Sequence, residues 1–181
     1  MERSRGGACA NGSQQKSYLK WDESVYSPTC LTESLFLTIL IDAMEQHDVA
    51  GFDVPGAYLQ TDIPADKRIL LRIIYEFVDI MCEVNLDYKP CVQYDNGIKV
   101  LYVKVMRSIY GCIESDLLWY NLYVNTLKYL GFIFNTYYRC MANKIIYGNQ
   151  CTIVWCVDDN NLLHVDPNVV TIILEENMKT F

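Results

Sequence analysis

The chain has 181 residues, of which 51% are hydrophobic and 20% charged, and a net charge of −7. That length and composition suit one globular domain with its own core and exclude a disordered chain. The acidic balance argues against indiscriminate nucleic-acid binding through bulk charge and leaves room only for a locally basic groove.

No apolar run reaches the eighteen or so residues of a membrane span, so no membrane partner is expected. The start, Met1-Glu2-Arg3-Ser4-Arg5-Gly6-Gly7, lacks the apolar core of a signal peptide. The eight cysteines form no Cys-x-x-Cys pair, and only His47 and His164 are available to join them. That speaks against zinc and for reduced, mostly buried thiols.

Residues 1–24 are rich in Gly, Ser, Gln and Asn and carry Arg3, Arg5, Lys16 and Lys20. They read as a flexible, mildly basic leader, with the folded domain over residues 25–181. A helix is predicted over residues 31–46, capped by Thr32, with Glu33 in its first turn. Leu35, Ile39 and Met44 share an apolar face that Leu37, Leu40 and Ile41 widen, so this helix should be well buried.

Residues 49–54 read as a strand that Pro55-Gly56 stops, followed by a short helix at Ala57-Tyr58-Leu59-Gln60. Asp53 stands at the end of that otherwise apolar strand. A carboxylate there is costly to bury unless it is paired or binds a metal, although strand ends also reach solvent. Residues 67–74 form a second strand with Lys67, Arg68 and Arg72 on a solvated face or facing a polyanion.

Residues 76–83 suit a short helix. Tyr94-Asp95-Asn96-Gly97 signals a hairpin, with an alternating strand over residues 98–105. Ser108-Ile109-Tyr110-Gly111-Cys112 reads as a loop. Ser115 is positioned to cap the helix that runs to about residue 130, and Gly131 ends it. A brief strand at residues 132–135 precedes a hairpin of residues 140–147 and 151–155 over Gly148-Asn149. Asp166 caps a last helix that Pro167 opens.

The most informative stretch lies between those last two elements. Apolar runs flank Asp158-Asp159-Asn160-Asn161, which reads as the tight turn of a hairpin. Asp and Asn are good turn formers in any case, but an acidic pair on a rigid hairpin tip can also hold a hard cation such as Mg²⁺. The element order gives an α+β fold, an antiparallel sheet with helices on one face. If the strand of Asp53 neighbours this hairpin, three carboxylates meet at one end of the sheet. Their pKa values then rise or a cation binds, and two Mg²⁺ ions sharing them suit in-line phosphoryl displacement.

At these residues the sequence resembles the reverse transcriptases of copia-type long-terminal-repeat retrotransposons. Asp53-Val54-Pro55-Gly56-Ala57-Tyr58 is similar to their first catalytic motif, and Cys156-Val157-Asp158-Asp159 to their aromatic-x-Asp-Asp box. Ser108-Ile109-Tyr110-Gly111 with Trp119-Tyr120 resembles the segment between them. The resemblance spans roughly residues 31–181 and rests on the order and spacing of motifs that are each weak alone.

The resemblance implies the fingers and palm of a right-hand polymerase, extending RNA- or DNA-templated primers with deoxynucleoside triphosphates in cytoplasmic virus-like particles or the nucleus. It makes Asp53, Asp158 and Asp159 the catalytic carboxylates. Asp53, Asp158, Asp159 and the Val54 carbonyl then hold two Mg²⁺ ions, or Mn²⁺ in their place. It places Tyr58 under the incoming sugar, excluding a 2′-hydroxyl, and Tyr110-Gly111 beside the template-pairing nucleotide. It also implies further polymerase segments (thumb, connection and ribonuclease H) of a longer polyprotein.

The chain departs from the family at Cys156, where Tyr is usual, and at Asn160-Asn161, where apolar residues are usual. Glu114 and Asp116 stand where basic or neutral residues are common, and acids there are expected to repel phosphates. Those departures support a competing expectation, a folded but non-catalytic remnant that binds nucleic acid or a protein. A third class, a Mg²⁺-binding α/β regulator, needs parallel strands alternating with helices, and the hairpins here oppose it.

Overall fold

The computed structural model describes residues 9–17 and 25–181. The rest of the expected leader, residues 1–8 and 18–24, lies outside the described residues. Among the described residues, four α-helices and eight strands follow in chain order. They are α1 (Thr32–Glu45), β1 (Asp48–Asp53), β2 (Leu70–Ile74), α2 (Glu76–Val84), β3 (Gln93–Asp95), β4 (Ile98–Lys104), α3 (Ser115–Tyr129), β5 (Ile133–Phe134), β6 (Met141–Ile146), β7 (Asn149–Cys156), β8 (Asp159–His164) and α4 (Pro167–Thr180). The fold is α+β with antiparallel sheets, as the element order predicts.

The larger sheet has five strands in the order β1-β8-β7-β6-β5, and a smaller one has three in the order β2-β4-β3. Strand β1 is far from β8 in sequence yet pairs with it along its whole length, from Asp48 opposite His164 to Asp53 opposite Asp159. Because successive side chains alternate faces, the register sorts residues cleanly. Cys151, Ile153 and Trp155 of β7 and Leu162 of β8 share a core with Trp119, Tyr123 and Leu127 of α3 and Val169, Val170 and Ile173 of α4. Trp155 meets Tyr123 edge-on at 5.5 Å and Phe134 at 5.8 Å. Such pairs add about 0.5–1.5 kcal/mol beyond their buried area. A separate small core joins Val78 and Cys82 of α2 to Leu101 of β4.

Two turns and one cap follow the sequence closely. Asn96 and Gly97 both take positive φ, 51° and 80°, which matches the primed turn a two-residue hairpin loop needs. The Asp166 side chain accepts from the Asn168 N–H at 2.9 Å, with Pro167 opening α4. The hairpin of β6 and β7 turns at Tyr147-Gly148, one residue earlier than predicted.

Helix α1 differs most from expectation. Its buried residues are Ser34, Thr38 and Asp42, while Ile39 (52% exposed), Leu40 (59%) and Met44 (77%) face outward. Leu37 and Ile41 are exposed too, and Leu35 is half-buried. Periodicity defines two opposed faces but not which one is turned inward. Here the polar face costs little to bury because its hydroxyls bond within the helix. Ser34 Oγ donates to the Leu31 carbonyl at 2.7 Å and Thr38 Oγ1 to that of Leu35 at 2.8 Å. Asp42 bonds His47 Nδ1 at 2.9 Å.

The caps predicted at Thr32 and Ser115 do not form. Leu31 is the cap residue of α1 and Glu114 that of α3, each without a capping bond from its side chain. Ser115 instead donates to the Ile109 carbonyl at 2.8 Å, tying the start of α3 back to the preceding loop. No described helix is long and apolar enough to cross a membrane.

Candidate functional site

The predicted convergence of acids rests on β1 and β8 being neighbours, and they are. Asp53 closes β1 directly opposite Asp159, the first residue of β8. Asp159 also sits opposite Cys156, the last residue of β7. The turn is therefore Val157-Asp158, not the Asp158–Asn161 tetrad that the sequence suggests. Asp159, Asn160 and Asn161 belong to β8. Asp53 and Asp159 are exposed and Asp158 is half-buried.

The turn is strained and firmly held. Val157 has φ 60°, a position that type II′ turns normally give to Gly and that a β-branched residue rarely takes. Its carbonyl accepts from the Trp119 indole Nε1–H at 2.7 Å. The Asp158 carbonyl accepts from the Val54 N–H at 3.1 Å and from Asn160 Nδ2 at 2.6 Å. Asn160 is 3% exposed, and its Oδ1 accepts from the Tyr123 hydroxyl at 2.5 Å. A buried amide that would be costly unpaired is thus satisfied on both sides, and it links α3 to the backbone of Asp158. This is why the tetrad does not turn: Asn160 faces the helices beside Trp155, its partner across the ladder.

The electrostatics follow from this packing. Burial holds the Asp158 carboxyl above the usual carboxylate range, and the nearby charges of Asp53 and Asp159 push it further. A bond from its own backbone N–H offsets part of that rise. Tyr110 titrates high through burial first and then the charges of Asp158 and Asp53, so its phenol lies in the field of the acids.

Beside the acids, Tyr58 and Tyr110 pack edge to face with ring centroids 4.6 Å apart. Tyr58 is only 8% exposed and belongs to the core, whereas Tyr110 is 38% exposed. The Tyr58 hydroxyl donates to Asp116. Burial, then that bond and the Asp116 charge, raise the Tyr58 phenol well above its ordinary value. Gly111 takes φ +87°.

Nothing matches this chain among family models, curated proteins or solved structures.

The two acids expected to repel phosphates are both engaged by other side chains, Glu114 in a buried position and Asp116 in an exposed one. Besides the bond of Asp116 to Tyr58, Glu114 accepts from Gln15 Nε2 at 3.0 Å and lies 3.7 Å from Lys67 Nζ. Gln15 comes from residues 9–17, which the sequence assigns to a flexible leader without a role. They dock instead, with a 3₁₀ helix over Gly12–Ser17. Ala10 N–H donates to the Tyr110 carbonyl at 2.7 Å, and Ile113 N–H to Gln15 Oε1 at 3.0 Å. A side chain on Gly111 would collide with the carbonyl of Ala10. The only sequence signal for this docking was the pair of small residues, Gly12 and Gly111, which allow close backbone approach.

Among the described residues, no group of three or more His, Cys, Asp or Glu side chains is arranged to hold a metal ion. Mg²⁺ asks less of a protein, often one or two carboxylates, with water and substrate phosphates completing its shell. The hard oxygens of Asp53 and Asp158 suit that demand, and the mutual charge at Asp158 is the kind a cation relieves. The Val54 N–H bond to Asp158 also fixes the backbone whose carbonyl the resemblance assigns to a metal. A cleft of about 420 Å³ lies elsewhere, between Tyr26, Pro28, Tyr138 and Arg139, and none of these acids lines it.

Proposed function

We propose that the chain is the fingers and palm portion of an RNA-directed DNA polymerase related to copia-type retrotransposon reverse transcriptases. The observation that carries this reading is the register of β1 with β8, which sets Asp53 opposite Asp159 with Asp158 in the adjoining turn. Three carboxylates on one strained, well-anchored sheet end suit a centre for nucleotidyl transfer. Asp53 and Asp158, with the Val54 carbonyl, are the groups to hold Mg²⁺ or Mn²⁺, and Asp159 adds negative charge beside them. Bound there, such ions supply Lewis-acid charge stabilisation to both the attacking and leaving oxygens.

The chain's own residues do the rest by positioning. Trp119 and Asn160 fix the backbone of the turn that carries Asp158. Tyr110 and Gly111 form the wall beside the acids against which a triphosphate sugar and base would lie. The partners are an RNA or DNA template with its primer, deoxynucleoside triphosphates and further polymerase segments.

The test is Mg²⁺-dependent extension of a primer on an RNA template by the purified chain, beside Asp158→Asn. Extension that disappears in the variant supports the reading. Extension unaffected by Asp158→Asn would sink it.

A second reading, a folded remnant that binds nucleic acid or protein without catalysis, is favoured by one observation. The acids, although neighbours in the ladder, do not form a ready three-ligand cluster among the described residues. Titrating Mn²⁺ against wild type and Asp53→Asn by paramagnetic relaxation separates the two, because a remnant shows no Asp53-dependent site.

A further inference from the structure

We infer that the outward face of α1 docks a basic amphipathic helix of another protein. The inference stands on α1 alone and holds whether or not the chain polymerises DNA.

Helix α1 contributes no side chain to either hydrophobic core. What it buries is polar, Ser34, Thr38 and Asp42. What it leaves in water is apolar. With 3.6 residues per turn, Phe36, Leu40 and Met44 form one row and Leu37 and Ile41 the next, two adjacent ridges on a single face. All five are exposed, Phe36 by 65% and Met44 by 77%. Together they leave several hundred Å² of apolar surface, the size at which such patches are often functional. A helix of 14 residues is marginal in water by itself and takes most of its stability from packing an apolar face. Among the described residues, no core packs against that face.

The charge around the ridges selects the occupant. A specific interface takes about 800 Å² from each partner, so the rim is buried along with the ridges. From Val25 to Asp66 the chain has seven acids and no Lys or Arg. Exposed Glu33 and Glu45 stand in the first and last turns of α1, and exposed Asp48 follows where β1 begins. Glu45 keeps 62% of its side chain exposed although it meets His47 Nε2 at 3.1 Å. Arg139 lies by the start of α1 but on the inward side, in the cleft it lines with buried Ser34. A second copy would lay acids against the same acids, and an anionic lipid surface would be repelled as well. A helix whose apolar stripe is flanked by Lys and Arg matches both the ridges and the rim.

The experiment uses the full chain and two synthetic helical peptides of α1's length that share one leucine stripe, flanked by lysines in one and by glutamates in the other. Binding is read by fluorescence anisotropy of the labelled peptide and mapped by hydrogen exchange. The Leu/Lys peptide should bind tighter than the Leu/Glu peptide by about tenfold or more, and should slow exchange in α1 above all other elements. Phe36→Ser with Leu40→Ser should weaken that binding by about tenfold or more, as loss of central anchors does. Both side chains lie outside the cores, and the wild-type exchange map needs no variant to fold. Glu33→Lys with Glu45→Lys should reverse the preference between the peptides.

Equal binding of the two peptides would overturn the inference, as would protection that falls outside α1 or binding unchanged in the Phe36/Leu40 variant. Sedimentation of the free chain supplies a further check: a dimer that this variant abolishes and the Leu/Lys peptide does not disperse would assign the face to a second copy. Capture by neutral phosphatidylcholine vesicles, lost in the same variant and not displaced by the peptide, would assign it to a membrane surface instead.

Discussion

The bond between Tyr123 and Asn160 offers the sharpest test of how the site is built. Tyr123→Phe removes one oxygen and nothing else. The ring keeps its place against Trp119, 5.4 Å away, and Trp155, 5.5 Å away, so no cavity opens. What remains is Asn160 Oδ1 without its donor, on a residue 3% exposed. An orphaned buried acceptor costs about 1–3 kcal/mol. At ~2 kcal/mol, a domain of this size loses roughly 4–8 °C in Tm. The assay is thermal and urea unfolding of Tyr123→Phe, Asn160→Leu and the double variant. Both single changes delete the same bond, so the double variant should fall short of additivity by about 0.5–3 kcal/mol. Additive losses, or a neutral Tyr123→Phe, would refute the claim that this bond anchors the turn.

Other outcomes follow from the same geometry. Asp158 is held above its ordinary pKa, so it binds its proton more tightly when folded than when unfolded. Stability should therefore rise as pH falls from the folded pKa towards the unfolded one, with the full penalty present above the folded pKa. Asp158→Asn should remove that penalty, raising stability at neutral pH and flattening this part of the profile in urea unfolding against pH. Trp119→Phe loses the indole bond to the strained Val157 carbonyl and should cost about 0.5–1.5 kcal/mol for that bond, with some lost packing in addition. Its signature is faster amide exchange in the β7–β8 hairpin than in β6. Gly111→Ala forces a side chain into a left-handed backbone, at about 1–2 kcal/mol, and against the Ala10 carbonyl. It should release residues 9–17, seen as new proteolytic cleavage there while the core stays protected.

How far the sequence carries can be argued from particular residues. Asp53 and Asp158-Asp159 could be singled out because acids interrupt apolar strands, which is rare enough to notice. The hairpins were legible because Asn96-Gly97 has few alternatives to a primed turn. The turn at Val157-Asp158 was not legible, since local chemistry favours Asp-Asp-Asn-Asn. The long-range ladder with β1 and the bond to Tyr123 outweigh that preference, and neither is visible in a window of ten residues. Helix α1 misled for a related reason. Its hydroxyls bond to the helix's own carbonyls, so polarity alone did not decide which face lies inward. The roles of Glu114 and Asp116 depend on Gln15, Lys67 and Tyr58, partners that only folding brings near them.

The bond from Trp119 to Val157 has an optical consequence. An indole whose N–H is tied to a carbonyl one residue from Asp158 is a fluorophore wired to the tip of the hairpin. Of the chain's three tryptophans, Trp155 lies in the same aromatic cluster and is coupled to Tyr123. Whatever draws on the acids, whether a proton or an ion, must move the Val157 carbonyl or leave it still. The colour and lifetime of Trp119 emission record which, with no label added to the protein.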